Sequence, residues 1–235
     1  MPPSLKGKTA LITGSTSGLG HELALNLASQ GAHIIAIGRT VSALEELDDH
    51  IKQKGSSTTL VPLDLTDPDT IDPLGPSLYQ RFQSLDLFIA AAAYLGGLAP
   101  LTHTKTTEWQ KVITTNLTAN YALIKTLHPL LSRAQAATAC FLTDNSKDTR
   151  GTAFWGPYGA SKAALETMVQ SYSAECNDTN IKTLTMSPGP MPTPLRRKAF
   201  PGEDQSTLQG LEYYAEKISS ILTTGDFANG DQITL

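Results

Sequence analysis

Two cysteines in 235 residues, Cys140 and Cys176, are too few for a disulfide scaffold; they read as free buried thiols in a reducing compartment. An excess of positive charge is also missing, since 18 Lys and Arg face 22 Asp and Glu for a net charge of −4. Proteins that track nucleic-acid phosphates cluster their basic residues, and the densest cluster here is only Arg196-Arg197-Lys198. No apolar run approaches the roughly 18 residues of a membrane span. Met1 to Lys8 lacks the apolar core of a secretory signal. The histidines, His21, His33, His50, His103 and His128, show neither H-x-x-x-H nor C-x-x-C spacing, so no metal site is expected. These absences leave a cytoplasmic protein with no nucleic-acid or membrane partner.

What is present is core material: 40% hydrophobic residues against 17% charged, enough for one α/β domain. Short, nearly continuous apolar runs stand at Leu11-Ile12, His33 to Ile37, Leu60 to Leu65, Leu85 to Ala93, Ala139 to Leu142, Ile181 to Met186 and, weakly, Gln232 to Leu235. Such runs fit strands buried on both faces of a parallel sheet. Between them apolar residues recur at helical spacing: Leu19, Leu23, Leu27 and Ala28; Val41, Leu44, Leu47 and Ile51; Trp109, Val112, Ile113, Leu117 and Tyr121; Leu165, Met168, Val169 and Tyr172. Strict alternation predicts a doubly wound, Rossmann-type parallel sheet with helices on both faces, in one domain over 1–235. Two stretches resist it. Pro68, Pro73, Gly75 and Pro76 predict a short or broken helix between Asp67 and Phe82, and the proline-rich segment from about 187 to 210 predicts a functional loop or lid.

The first strand runs into Thr13-Gly14-Ser15-Thr16-Ser17-Gly18-Leu19-Gly20, where a helix begins. Glycines let the backbone approach a pyrophosphate, and the helix N-terminus attracts the anion; glycine at such a turn also serves geometry alone. The second strand ends in Gly38-Arg39, without the acidic residue that would accept from a ribose 2′-hydroxyl. A guanidinium there suits a 2′-phosphate and so NADP(H) over NAD(H); the plainer alternative is a solvated arginine at a helix start. Asp64, with Leu65 after it, is a candidate adenine partner or the cap of the following helix. Downstream, Tyr158 and Lys162 stand four residues apart, on one face of a helix. An ammonium beside a phenol favours the phenolate and draws its pKa down toward general acid/base range.

Taken jointly, Thr13 to Gly20, Asp64-Leu65, Asn116, Tyr158 with Lys162, and Pro188-Gly189 followed by Thr193 resemble the short-chain dehydrogenase/reductase family over nearly the whole chain. Trp155 to Tyr158 and the segment 196–204 look similar to a bacterial subgroup of uncharacterised reductases. The resemblance implies Tyr158 as acid/base, Lys162 as the group that lowers its pKa and holds the nicotinamide ribose, and Asn116 as the holder of a relay water. It implies cofactor contacts from Gly14, Ser15, Ser17, Gly18, Leu19, Gly20, Arg39, Asp64, Leu65, Ala91, Tyr158, Lys162, Pro188, Gly189 and Thr193. It also implies a homodimer or homotetramer through the helices that carry Trp109 to Leu131 and Tyr158 to Cys176.

Two departures stand out. Ala90-Ala91-Ala92-Ala93 replaces the family's Asn-Asn-Ala-Gly. The carbonyl-polarising serine is expected about 13 residues before the tyrosine, and counting back gives Asn145, or Ser146 one residue later. Ser146 is the catalytic candidate; an asparagine there could donate to a carbonyl but could not relay a proton. The expected activity is hydride transfer between NADP(H) and a carbonyl or secondary alcohol of a small organic molecule. The alternative is a non-catalytic dinucleotide-binding protein with a degraded site.

Overall fold

Seven strands pair in parallel in the order β3-β2-β1-β4-β5-β6-β7, in a computed structural model that describes residues 5–235. The start of the Met1 to Lys8 segment lies outside the described residues. The strands are β1 (Thr9–Thr13), β2 (His33–Gly38), β3 (Thr58–Pro62), β4 (Leu87–Ala90), β5 (Ala137–Leu142), β6 (Ile181–Ser187) and β7 (Asp231–Thr234). Between them run α1 (Gly18–Ser29), α2 (Val41–Gln53), α3 (Leu74–Tyr79), α4 (Thr106–Ile113), α5 (Ala119–Leu131), α6 (Gly156–Glu175), α7 (Pro194–Ala199) and α8 (Leu211–Thr224). This is the doubly wound sheet that the alternating pattern predicts.

Register explains why nearly continuous apolar runs were needed. Ala36, Ile12, Ile89, Cys140 and Leu184 form one cross-strand row, facing α1, α2 and α8. Their neighbours Ile35, Leu11, Phe88 and Ala139 face the other way, onto α3, α5 and α6. Because strand side chains alternate with period two, a sheet covered on both faces needs apolar residues at every position. Phe88 and Phe141 lock the second layer edge to face, centroids 5.4 Å apart.

The structure differs from the sequence reading in several places. β3 stops at Pro62, since proline brings no N–H and only Leu63 adds one more bond, to Gly38 O. Within the 187–210 segment lies α7, with Thr193 Oγ1 accepting from Arg196 N–H as its N-cap. α8 follows unforeseen, although Leu211, Tyr214, Ala215, Ile218 and Leu222 carry helical spacing. Val41 and Tyr121, counted with the apolar helix faces, are exposed, Tyr121 at 57%. Finally, Thr114 to Thr118 widens to a π-turn between α4 and α5, holding Asn116. Such turns gather at functional sites because they re-aim side chains.

Candidate active site

Strand order reverses between β1 and β4, and the crevice outside the carboxyl ends of those strands is where doubly wound sheets take ligands. A cavity of about 690 Å³ opens there. Its floor is the turn after β1, where Gly14 has φ +66° and packs so closely on the 90–93 run that a Cβ would stand 2.8 Å from Ala92 Cα. The run is held by Ala92 N–H donating to Thr13 Oγ1 at 3.2 Å, which supplies a polar tie where asparagine side chains are missing. Gly18, Leu19 and Gly20 line the cavity as the first residues of α1, whose first turn carries no acidic residue and no side-chain cap. The N–H groups of that turn and its positive dipole end are therefore available to a phosphate.

Of the expected cofactor residues, Gly14, Ser17, Gly18, Leu19, Gly20, Arg39, Asp64, Leu65, Ala91, Tyr158, Lys162, Pro188, Gly189 and Thr193 all line this one cavity. Ser15 does not. It is fully buried, and its hydroxyl donates to Ile37 O at 3.1 Å, fastening the turn to β2. Arg39 is exposed and makes no ion pair among the described residues; its charge helps hold the Asp64 carboxyl below the usual range, after the stronger effect of the Thr66 backbone N–H that Asp64 accepts. A dinucleotide fits these residues: a bare glycine turn for the pyrophosphate, an acceptor at Asp64 and an unpaired cation at Arg39.

Asn116 is fully buried and does not line the cavity; it works as a clasp. Its Oδ1 accepts from Tyr94 N–H at 2.8 Å, and its Nδ2 donates to Tyr94 O at 3.0 Å and to Ser161 Oγ at 2.9 Å. Ser161 in turn donates to Tyr158 O at 2.7 Å. The π-turn, the loop after β4 and the first turn of α6 are thus tied through one side chain. Asn116 O is taken as well, by Asn120 Nδ2 at 2.8 Å, so the polar groups expected to hold a relay water are bound within the protein.

Tyr158 and Lys162 do share a face of α6, with the ammonium 5.8 Å from the phenol ring centroid. Lys162 is 3% exposed and its Nζ donates to Leu142 O at 2.9 Å. Burial lowers its pKa to about 8, against the charges of Asp144 and Glu166. Tyr158 is 5% exposed, lines the cavity, and its hydroxyl has no hydrogen-bond partner among the described residues. Its pKa is raised, by burial first and then by the Asp144 carboxylate. This corrects the expected lowering: with the ammonium turned to Leu142 O, desolvation of the phenolate dominates.

The loop after β5 brings both serine-position candidates, Asn145 and Ser146, to the wall of this cavity together with Asp144. Asn145 turns its amide to Thr234 Oγ1 at the end of β7, 3.0 Å away. Ser146 Oγ lies 3.4 Å from Thr149 Oγ1, within its own loop. The residue whose charge reaches both Tyr158 and Lys162 is Asp144, which sequence counting passed over. The signal was the Asp144-x-Ser146 pair, an Asx-turn pattern that fixes the first residue's carboxylate, here accepting from Ser146 N–H at 3.1 Å.

Across the cavity, Trp155 packs against Tyr158 and Phe200, centroids 5.8 and 5.6 Å away. Phe200 is stacked on its other side by Arg196 at 3.7 Å, and Arg196 grips Glu203 through two bonds of 2.6 and 2.8 Å. Lys198 on α7 and Lys111 on α4 both reach the Tyr94 ring, at 5.4 and 4.8 Å, so α7 is held across the crevice.

Known proteins are similar to this chain over most of its length. A family profile described as short chain dehydrogenase matches residues 8–204. The uncharacterised oxidoreductase YciK of Escherichia coli K12 is 31% identical over 208 residues, covering 87% of this chain and 82% of its own. A short chain dehydrogenase from Shigella flexneri, solved in complex with NADP, superposes with TM-score 0.93 at 28% identity, covering 100% of this chain and 99% of that one. Another, from Escherichia coli CFT073 in complex with NADPH, gives 0.91 at 28% identity, covering 97% and 96%. No helix among the described residues is long and apolar enough to cross a membrane. With profile, relatives and fold in agreement, the chain belongs to the short-chain dehydrogenase family.

Proposed function

We propose that the protein is an NADP(H)-dependent oxidoreductase acting on a carbonyl or secondary alcohol of a small organic molecule, with Tyr158 as acid/base. The observation that carries this reading is Tyr158: the residue is almost wholly buried, its hydroxyl has no hydrogen-bond partner among the described residues, and it lines the same cavity as the bare α1 N-terminus. Bound NADPH supplies the hydride. As charge grows on the substrate oxygen, Tyr158 Oη delivers its proton there, and in the reverse direction takes it back. A raised phenol pKa keeps that proton in place until an alkoxide, a stronger base than phenolate, forms. Lys162 supplies the nearby positive charge and, from Nζ, a donor for a ribose hydroxyl. Asn116 positions both through Ser161 rather than touching the reacting atoms.

Preference for NADP(H) rests on Arg39, and the NADP and NADPH held by the two similar structures support it. The two buried free thiols fit a reducing cytoplasm, and the half-exposed Trp109 with the exposed Tyr121 fits assembly into a homodimer or homotetramer. Calorimetry with NADPH and NADH tests the cofactor choice. Arg39→Asp removes a charge-assisted contact of about 1.5–3 kcal/mol, so NADPH affinity falls roughly 10- to 150-fold while NADH affinity holds. Equal affinity of the unaltered protein for both cofactors overturns the assignment. The non-catalytic alternative draws on Asp144, whose charge opposes an oxyanion; NADPH binding with no turnover of any carbonyl compound would favour it.

A further inference from the structure

The wall of the cavity beside Tyr158 is acidic where a neutral donor was expected. Asp144 Oδ1 accepts from Ser146 N–H and from Thr149 Oγ1, both at 3.1 Å. Thr149 is buried, and its carbonyl oxygen lies 2.7 Å from where a Cβ on Gly159 would stand, which seats the loop against α6 one residue past Tyr158. Asp144 Oδ2 has no hydrogen-bond partner among the described residues, and the residue lines the cavity with Tyr158 and Lys162. On the lid Arg196 is neutralised by its two bonds to Glu203, Lys198 and Lys111 are drawn to the Tyr94 ring, and the charge that Asp144 meets within the cavity is the Lys162 ammonium. The rings of Trp155 and Phe200 line the same cavity.

A carboxylate is an adverse neighbour for a carbonyl becoming an alkoxide, because it repels the charge that the transition state develops. A substrate with its own positive charge between the two reverses the sign. It satisfies the carboxylate, stabilises the growing oxyanion, and is attracted by the aromatic faces that wall the cavity. We therefore propose that the substrate carries a cationic nitrogen beside its reacting carbonyl, an aminoketone reduced to an amino alcohol, and that Asp144 selects it. This rests on the hydride-transfer reading above and names its substrate class. In the step, the carbonyl carbon takes the hydride of NADPH, which is oxidised to NADP⁺. The C=O π pair moves to oxygen, and oxygen takes the Tyr158 proton, which solvent replaces. The ammonium is unchanged throughout.

An isosteric pair tests it: phenacyltrimethylammonium, and 3,3-dimethyl-1-phenylbutan-1-one, in which carbon replaces the charged nitrogen. NADPH absorbance gives kcat/KM for each, and calorimetry on the NADP⁺ complex gives their affinities. The cation should be favoured about tenfold or more in both. Asp144→Asn, of the same shape, should lower the affinity ratio about tenfold, leaving only the share owed to the aromatic faces. Preference of the unaltered protein for the neutral ketone, or a ratio untouched by Asp144→Asn, overturns the proposal and leaves hydride transfer standing. If NADPH binds but neither compound is reduced, the aminoketone substrate fails, while the hydride-transfer reading fails only if a wider set of carbonyl compounds is refused as well.

Discussion

A single methyl group on Gly14 probes the contact on which the cofactor floor depends. At φ +66° an L-residue pays about 1–2 kcal/mol for the left-handed region. The added Cβ would also stand 2.8 Å from Ala92 Cα and 3.0 Å from Ala92 N, both backbone atoms. They cannot swing aside, because Ala92 N–H is bonded to Thr13 Oγ1 and β4 is paired on both edges. Overpacking of this kind adds about 1–3 kcal/mol. Gly14→Ala should therefore cost about 3 kcal/mol, or about 6–12 °C in Tm at this chain length. Gly7 is the internal control: φ is +81° but nothing lies within 4 Å of its would-be Cβ, so Gly7→Ala carries the strain alone, about 1–2 kcal/mol. Calorimetric melting of both variants beside the parent isolates the contact. NADPH affinity should also fall in Gly14→Ala and hold in Gly7→Ala. Equal Tm losses, with NADPH affinity kept in both, would refute the close-approach argument.

Other consequences are as direct. Lys162 titrates at about 8 in the protein without cofactor, below its ordinary value, so its ammonium is present below that pH and lost above it. The kcat/KM for carbonyl reduction should accordingly fall as pH rises through about 8; a rate flat to pH 10 contradicts the role given to the ammonium. Sedimentation at micromolar concentration should show two or four copies, and Tyr121→Glu should shift the population toward the 25.1 kDa monomer; a monomeric parent refutes the assembly.

Much of the site was readable as spacing. Thr13 to Gly20, Arg39, Tyr158 with Lys162, and Pro188-Gly189 each sit at a strand end or on one helix face, and local pattern records such placements. What escaped depends on where a chain turns back on itself. Asp144 could not be told from Asn145 or Ser146 by counting, because loop length between β5 and α6 is free to vary; all three line the cavity, and the Asx turn with Thr149 fixes the Asp144 carboxylate there. Ser15 looked like a phosphate ligand by position but spends its hydroxyl on Ile37 O, a contact made 22 residues away in sequence. The π-turn at Asn116 likewise leaves no mark in apolar periodicity, since it inserts one residue into an otherwise continuous helical run.

The proton of Tyr158 is the centre of the account, and Tyr158→Phe removes it while leaving the ring that packs on Trp155. Steady-state kinetics on phenacyltrimethylammonium or its neutral isostere, whichever the parent reduces, should show kcat lower by about 10²–10⁴, with NADPH affinity by calorimetry within about twofold of the parent. A Tyr158→Phe protein that keeps the parent kcat would contradict the assignment of this phenol as the acid.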